Sequence, residues 1–240
     1  MNDTAPSPSP SPSPSPSPHA VARLRDTCLE DNEKIPRLDR GGPRKTRCAG
    51  CRLVPIHCMC ASRASVPTHA GVCLLMCEFE ALKPSNTGWL VADVVPDTHA
   101  FGWSRTSVDP SLLTLLDDPR WQPLVVFPAE FAPPERVVTE LAPDAQRRPL
   151  FILLDGTWAE ARKAFRKSPW LDRFPVLALN PRQISRYRLR QASHEHHLCT
   201  SEVAALCLEM AGDVRAAEML ETTLAVFSER TLLSRFRPRL

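Results

Sequence analysis

The sequence predicts an α/β fold: a mostly parallel sheet with helices on both faces, preceded by a small N-terminal cysteine-rich module. Three observations carry this prediction. Short apolar runs alternate along the chain with segments of helical character, the order that builds a parallel sheet. The run Pro149–Leu154 is apolar at consecutive positions, as in a strand buried on both faces. That run then passes through Asp155, Gly156, Thr157 and Trp158 directly into the helix formers Ala159–Lys167. Such a turn lies where a strand's carboxyl end meets a helix's amino end, the edge at which open α/β sheets bind ligands.

Taken in order, residues 71–77 form the first buried strand. Asn86–Val95 reads as a short helix, with Asn86 or Thr87 as its N-cap. Residues 100–104 form a second strand and 111–116 a helix. Pro123–Phe127 is a strand. Residues 128–148 carry Pro128, Pro133, Pro134 and Pro143 and read as loop. The strand 150–154, the helix 157–167 and the strand 175–179 follow. On the helix 157–167, Trp158, Ala161 and Phe165 share one side, while Arg162, Lys163, Arg166 and Lys167 face elsewhere. Ser201–Met210 is a helix that Gly212 can end, and a last helix spans Val214–Glu229.

Ahead of this lies a different kind of sequence. Residues 6–18 read PSPSPSPSPSPSP, a low-complexity stretch expected to be extended and solvated. Residues 19–46 are polar and charged, including RGGPRKTR, and read as a basic linker. The expected division is a tail and linker over 1–46, a cysteine module over 47–62 and the main domain over 63–240. No apolar run approaches the roughly 20 residues that span a bilayer. The first residues also lack the basic and apolar regions of a secretory signal, so the expectation is a cytoplasmic protein with no membrane partner. The sequence leaves the oligomeric state open.

The nine cysteines cannot all pair as disulfides within one chain. Four of them, Cys48, Cys51, Cys58 and Cys60, follow the spacing C-x2-C-x6-C-x-C in CAGCRLVPIHCMC. Four soft thiolates so close together suit tetrahedral zinc. An all-cysteine site is closed, so its metal is expected to be structural. Arg44, Lys45, Arg47 and Arg52 are placed to help deprotonate the thiols. The alternatives are four free thiols, or His57 in place of one of them. Cys73, Cys77 and Cys207 sit in apolar stretches and read as core.

With these motifs the chain resembles the DTW-domain family, the tRNA-uridine aminocarboxypropyltransferases. The matching pieces are the cysteine cluster, KPSNTG at 83–88, LDGTWAEARKAFRKSPWL at 154–171, SRYRLR at 185–190 and LCTSEVAALCLEM at 198–210. One departure is Cys77, which stands where the family commonly has a histidine. The resemblance implies a SPOUT-like, knotted α/β domain. It also implies transfer of the 3-amino-3-carboxypropyl group from S-adenosylmethionine to N3 of a tRNA uridine, with methylthioadenosine released.

On that reading Asp155 is the general base for N3, the alternative being a helix N-cap. Gly156, Thr157 and Trp158, with Asn86, Thr87 and Gly88, form the S-adenosylmethionine site. Trp158 is otherwise a core aromatic, and residues 86–88 an ordinary cap. Arg162, Lys163, Arg166 and Lys167, with Arg186, Arg188 and Arg190, contact tRNA phosphates, or else form a solvated face. Two competing functions are a SPOUT-like RNA methyltransferase using the same donor, and a zinc-containing RNA-binding module without activity.

Overall fold

A computed structural model describes residues 19–31, 46–142, 144–179 and 198–234. Six strands make one sheet: β1 (Gly71–Met76), β2 (Thr98–Gly102), β3 (Trp121–Val126), β4 (Val137–Val138), β5 (Arg148–Asp155) and β6 (Val176–Leu177). Their spatial order is β2-β1-β5-β3-β6-β4, and every adjacent pair is parallel. All the carboxyl ends therefore lie along one edge. The late strand β5 is inserted between β1 and β3, with Met76 opposite Asp155 and Val126 opposite Leu153. Asp155 thus ends one of the two central strands.

Among the described residues six α-helices accompany the sheet: α1 (Ala20–Glu30), α2 (Gly88–Val94), α3 (Pro110–Asp117), α4 (Trp158–Arg166), α5 (Thr200–Met210) and α6 (Val214–Leu233). The two-residue alternation of strand side chains sorts the core into two halves. Val72, Leu74, Met76, Phe151 and Leu153 pack on one face against α2, α5 and α6 through Leu90, Cys207, Leu208 and Leu220. Cys73, Leu75, Leu150 and Ile152 pack on the other against α3 and α4 through Leu112, Leu116, Ala161 and Phe165. Helices on both faces explain why these strands read as continuous apolar runs. Cys73, Cys77 and Cys207 are buried, as expected of core thiols.

The structure differs from the sequence reading in three places. Ala20–Glu30, read as linker, form α1. Ala20 and Val21 are buried against the α2 face, and the His19 ring lies 4.4 Å from that of Trp89. With Val21, Ala22 and Leu24 as its residues in that core, α1 is too sparsely apolar to show a periodic signal. Residues 128–148, read as loop, contain the edge strand β4 and the first residue of β5. Helix α2 begins at Gly88 with Thr87, one of the two candidates, as its N-cap, while Asn86 stays in the preceding turn and accepts the N–H of Trp89 at 2.9 Å. Among the described residues no helix is long and apolar enough to cross a membrane.

Candidate active site and cysteine centre

The carboxylate of Asp155 is held from two distant elements. Its Oδ1 accepts the hydroxyl of Thr200, the first residue of α5, at 2.6 Å. Its Oδ2 accepts the side-chain amide of Asn86 at 2.8 Å. The same amide nitrogen reaches Oε1 of Glu80 at 3.2 Å, and Lys83 pairs with the other oxygen of Glu80. Asp155 is only 3% exposed. Burial pushes its carboxyl up to about 6; the Thr200 and Asn86 hydrogen bonds and Lys83 oppose this, while the charge of Glu80 adds to it.

Asp155 is not the cap of α4. Thr157 is: its hydroxyl accepts the N–H of Glu160 at 3.3 Å, while Glu160 accepts the N–H of Thr157 at 2.7 Å. This reciprocal box satisfies the helix start and leaves the carboxylate of Asp155 to the network across the sheet edge.

Two glycines bring the turns together. A Cβ on Gly88 would sit 2.5 Å from Oδ2 of Asp155, and one on Gly156 would sit 3.0 Å from Cβ of Cys77. Cys77 donates its N–H to the carbonyl of Asp155 at 2.8 Å, so it braces the turn. Its thiol is pushed up to about 12 by burial first and then by the nearby carboxylates, Glu160 foremost. It is therefore a neutral packing group at neutral pH. Thr87 accepts the N–H of Ser201 at 3.4 Å, tying the 86–88 turn to the start of α5.

Asn86, Thr87, Gly88, Asp155 and Gly156 thus meet at the sheet's carboxyl edge, on the α2–α5 side. Trp158 is the first residue of α4. It lies with Phe127 and Phe131 on the α4 side of the sheet, its ring centroid 5.6 Å from that of Phe127, and it is 40% exposed. It is therefore not a buried core aromatic. The sequence reading also passed over Glu80, Lys83 and Thr200 as site residues. The signal for Lys83 and Thr200 was present, since both lie within the motifs that carried the resemblance.

Arg162, Lys163, Arg166 and Lys167 are all exposed along or just beyond α4. None forms an ion pair with a carboxylate among the described residues. Arg186, Arg188 and Arg190 lie outside the described residues.

The four thiols Cys48, Cys51, Cys58 and Cys60 form one group whose sulfur atoms all lie within 4.8 Å of one another. The separations are 3.5 Å for Cys48–Cys60, 3.5 Å for Cys58–Cys48 and 3.7 Å for Cys51–Cys58. Tetrahedral zinc with Zn–S near 2.3 Å needs sulfurs about 3.8 Å apart, so the group is compatible with structural zinc. His57 is not part of it. The Cys48 thiol is lowered, first by the backbone N–H of Cys51, whereas burial raises that of Cys60. Arg47 donates to the carbonyl of Arg52 at 3.0 Å, and the Arg52 guanidinium lies over the Trp89 ring. Arg44 and Lys45 lie outside the described residues.

The module is fastened to the main domain through its backbone. The Gly50 carbonyl accepts the indole N–H of Trp89 at 3.0 Å and the guanidinium of Arg63 at 2.9 Å, and Arg230 of α6 donates to the Cys58 carbonyl. Trp89 is thus bonded to Gly50 by its side chain and to Asn86 by its N–H.

Fold and site together define a parallel α/β protein with a buried, hydrogen-bonded carboxylate at the sheet's carboxyl edge and a four-thiol centre docked alongside. The DTW domain matches residues 45–232, and the chain belongs to that family. A curated relative, tRNA-uridine aminocarboxypropyltransferase 2 of Drosophila melanogaster, is 27% identical over 175 residues. The match covers 69% of this chain but 66% of the relative, slightly less than two thirds of its length. No solved structure matches significantly.

Proposed function

We propose that this protein is a tRNA-uridine aminocarboxypropyltransferase. It transfers the 3-amino-3-carboxypropyl group from S-adenosylmethionine to N3 of a tRNA uridine and releases methylthioadenosine. Family membership and the name of the relative support the class of reaction. The observation that carries the reading is the state of Asp155. It is a buried carboxyl raised to about 6, at the edge where a parallel sheet receives its ligands.

N3 of uridine is a weak acid and must lose its proton to become a nucleophile. A base with a pKa near the working pH is both largely ionised and still basic enough to take that proton. Thr200 and Asn86 occupy one lone pair on each oxygen of Asp155, which leaves a second on each to receive it. They also fix the carboxylate's orientation.

The donor site fits the residues present. Asn86, Thr87, Gly88, Gly156 and Thr157 let two backbone turns approach closely, and the nearby carboxyls of Asp155 and Glu80 favour a cationic, amine-bearing molecule. When bound, S-adenosylmethionine supplies a sulfonium-activated carbon, so the protein's task is to align that carbon with N3. The exposed cations of α4, with Arg186, Arg188 and Arg190, meet tRNA phosphates. The four cysteines hold zinc in a structural role.

The same proposal includes a SPOUT-like, knotted topology for residues 63–240, a cysteine module over 47–62, a tail and linker over 1–46 interrupted by the packed helix α1, and a cytoplasmic location. The insertion of β5 between β1 and β3 is the observation that favours the topology.

Incubation of the protein with tRNA and S-adenosylmethionine, followed by nucleoside mass spectrometry, tests the activity. The expected products are aminocarboxypropyl-uridine and methylthioadenosine. Methylated nucleoside with S-adenosylhomocysteine would make it a methyltransferase instead, and no product with intact tRNA binding would leave an RNA-binding module.

A further inference from the structure

Lys83 brings a cation to the donor turns. It pairs with Glu80, and its carbonyl accepts the N–H of Asn86 at 3.1 Å, which fixes it in the turn leading to Asn86, Thr87 and Gly88. From Glu80 the hydrogen bonds run on through Asn86 to Asp155, at 3.2 and 2.8 Å. Burial opposes the charge of Lys83. The Glu80 hydrogen bond and the carboxylates of Glu80, Glu160 and Asp155 outweigh it, and the amine is raised above its ordinary value. It is therefore an ammonium at neutral pH. Glu80 takes one of its three N–H groups, and its side chain is 31% exposed, enough to meet a ligand.

We propose that Lys83 binds the α-carboxylate of the donor's aminocarboxypropyl group, with the N–H groups that Glu80 leaves over. The proposal rests on the transferase reading above and adds to it the residue that holds the transferred end of the donor. That end carries a carboxylate as well as an amine, and the helix starts at this edge are ill suited to the carboxylate. At α4, Glu160 accepts the N–H and the hydroxyl of Thr157, at 2.7 and 2.6 Å. At α5, Glu202 accepts the N–H of Cys199 at 2.6 Å. Each start thus carries a carboxylate of its own, which repels a second one. At α2 the N–H of Trp89 is already given to Asn86. Asp155 and Glu80 repel an anion as well. A carboxylate brought here needs a cationic side chain, and Lys83 stands in the same turn as the residues that receive the donor. Its contact would also fix which carbon on the sulfonium faces N3, because it holds the aminocarboxypropyl arm at its far end.

Three ligands test this by binding alone, without tRNA: S-adenosylmethionine, its decarboxylated form, and methylthioadenosine, which lacks the whole arm. Lys83→Met should weaken S-adenosylmethionine by roughly 10- to 150-fold, the worth of a hydrogen bond to a charged group. Neither of the other two should bind more weakly. The sign is diagnostic. S-adenosylmethionine is a net cation, so removing a cation from an acidic site would by field alone leave its binding unchanged or tighten it. Lys83→Arg, which keeps the charge, should retain most of the affinity. Thermal melts check folding, and if Lys83→Met does not fold, Lys83→Gln keeps an N–H for Glu80 without the charge and is read in the same way. Unchanged or tighter S-adenosylmethionine binding in the variant would overturn the proposal. Equal weakening of all three ligands would also overturn it, leaving Lys83 as a brace for Glu80. A wild-type protein that binds none of them would sink the transferase reading, and this assignment with it.

Discussion

Asn86 and Asp155 lie 69 residues apart and share a hydrogen bond of 2.8 Å at the sheet edge. Because the same nitrogen also faces Glu80, one amide stands between two buried carboxyls. Asn86→Ala removes that donor. A hydrogen bond to the charged form lowers a carboxyl's pKa, so its loss should raise Asp155 above its present value of about 6. The rising limb of the pH–rate profile should move to higher pH, and stability should fall by about 1–3 kcal/mol because two buried acceptors lose their partner. A pH–rate profile and a denaturant titration together check both. An unmoved limb with lowered stability would make Asn86 a purely structural residue.

The cysteine centre makes a separate prediction through Trp89. The protein is expected to bind one zinc per chain, and elemental analysis should find it. Removing the metal frees the four thiols and with them the loop that carries Gly50, the acceptor for the Trp89 indole and for Arg63. Chelation should therefore make the chain sensitive to protease near residues 46–63 and shift tryptophan fluorescence. Cys73→Ser should leave the metal content per folded chain unchanged, because Cys73 is buried in the core cluster on the α3–α4 face of the sheet. Full protease resistance in chelator would separate the metal from the local fold.

What the sequence revealed follows what is local in each signal. The strand Leu150–Leu154 was legible because burial on both faces leaves a continuous apolar run. The cysteine group was legible because its ligands sit within thirteen residues. The Asp155–Thr157 turn was recognised, but its division of labour was not. Thr157 caps α4 and frees Asp155, although the Thr157-x-x-Glu160 spacing is a capping-box pattern that the sequence reading passed over. Thr200 meets Asp155 across 45 residues, a pairing that no spacing rule contains. Trp158 and Phe165 shared a helical side in the sequence, and both do face Phe127. Whether such a residue ends in the core or at the surface depends on how far β3 and its following turn reach. Helix α1 escaped because its fixing contact, His19 on Trp89, is a tertiary one.

The basic face of α4 predicts a change in salt dependence. Arg166 is exposed and makes no ion pair among the described residues, so reversing it breaks no internal bridge. Arg166→Glu should weaken tRNA binding and reduce the slope of log affinity against log salt by about 1, as one counterion fewer is released. S-adenosylmethionine affinity and the melting temperature should stay as in the wild type. An unchanged slope would mark this arginine as a solvated charge. The same substitution at Arg188 extends the test to the second basic run.

The state of Asp155 yields the most detailed expectation. If it takes the proton from N3, the rate should rise as pH passes through about 6 and level off above, because only the ionised form is a base. Asp155→Asn should lower turnover by roughly 10²–10⁴-fold and abolish that limb. The amide fits the site in one orientation. Its oxygen accepts from Asn86 as Oδ2 does now, and its NH₂ faces Thr200, whose hydroxyl can turn to accept. Stability should move the other way from activity. The folded-state pKa of Asp155 is raised above its ordinary 3.8, so the native state holds a proton that the unfolded chain gives up between about 4 and 6. The stability contributed by the neutral carboxyl is complete below pH 3.8 and is lost as pH rises through about 6. The asparagine variant has no such titration, so its melting temperature relative to the wild type should climb across that window. Melts from pH 4 to 8, with single-turnover rates on the same samples, read both effects. A variant that still forms methylthioadenosine at the wild-type rate while showing the stability change would leave Asp155 as a buried anchor for Asn86 and Thr200, and another group or solvent as the base.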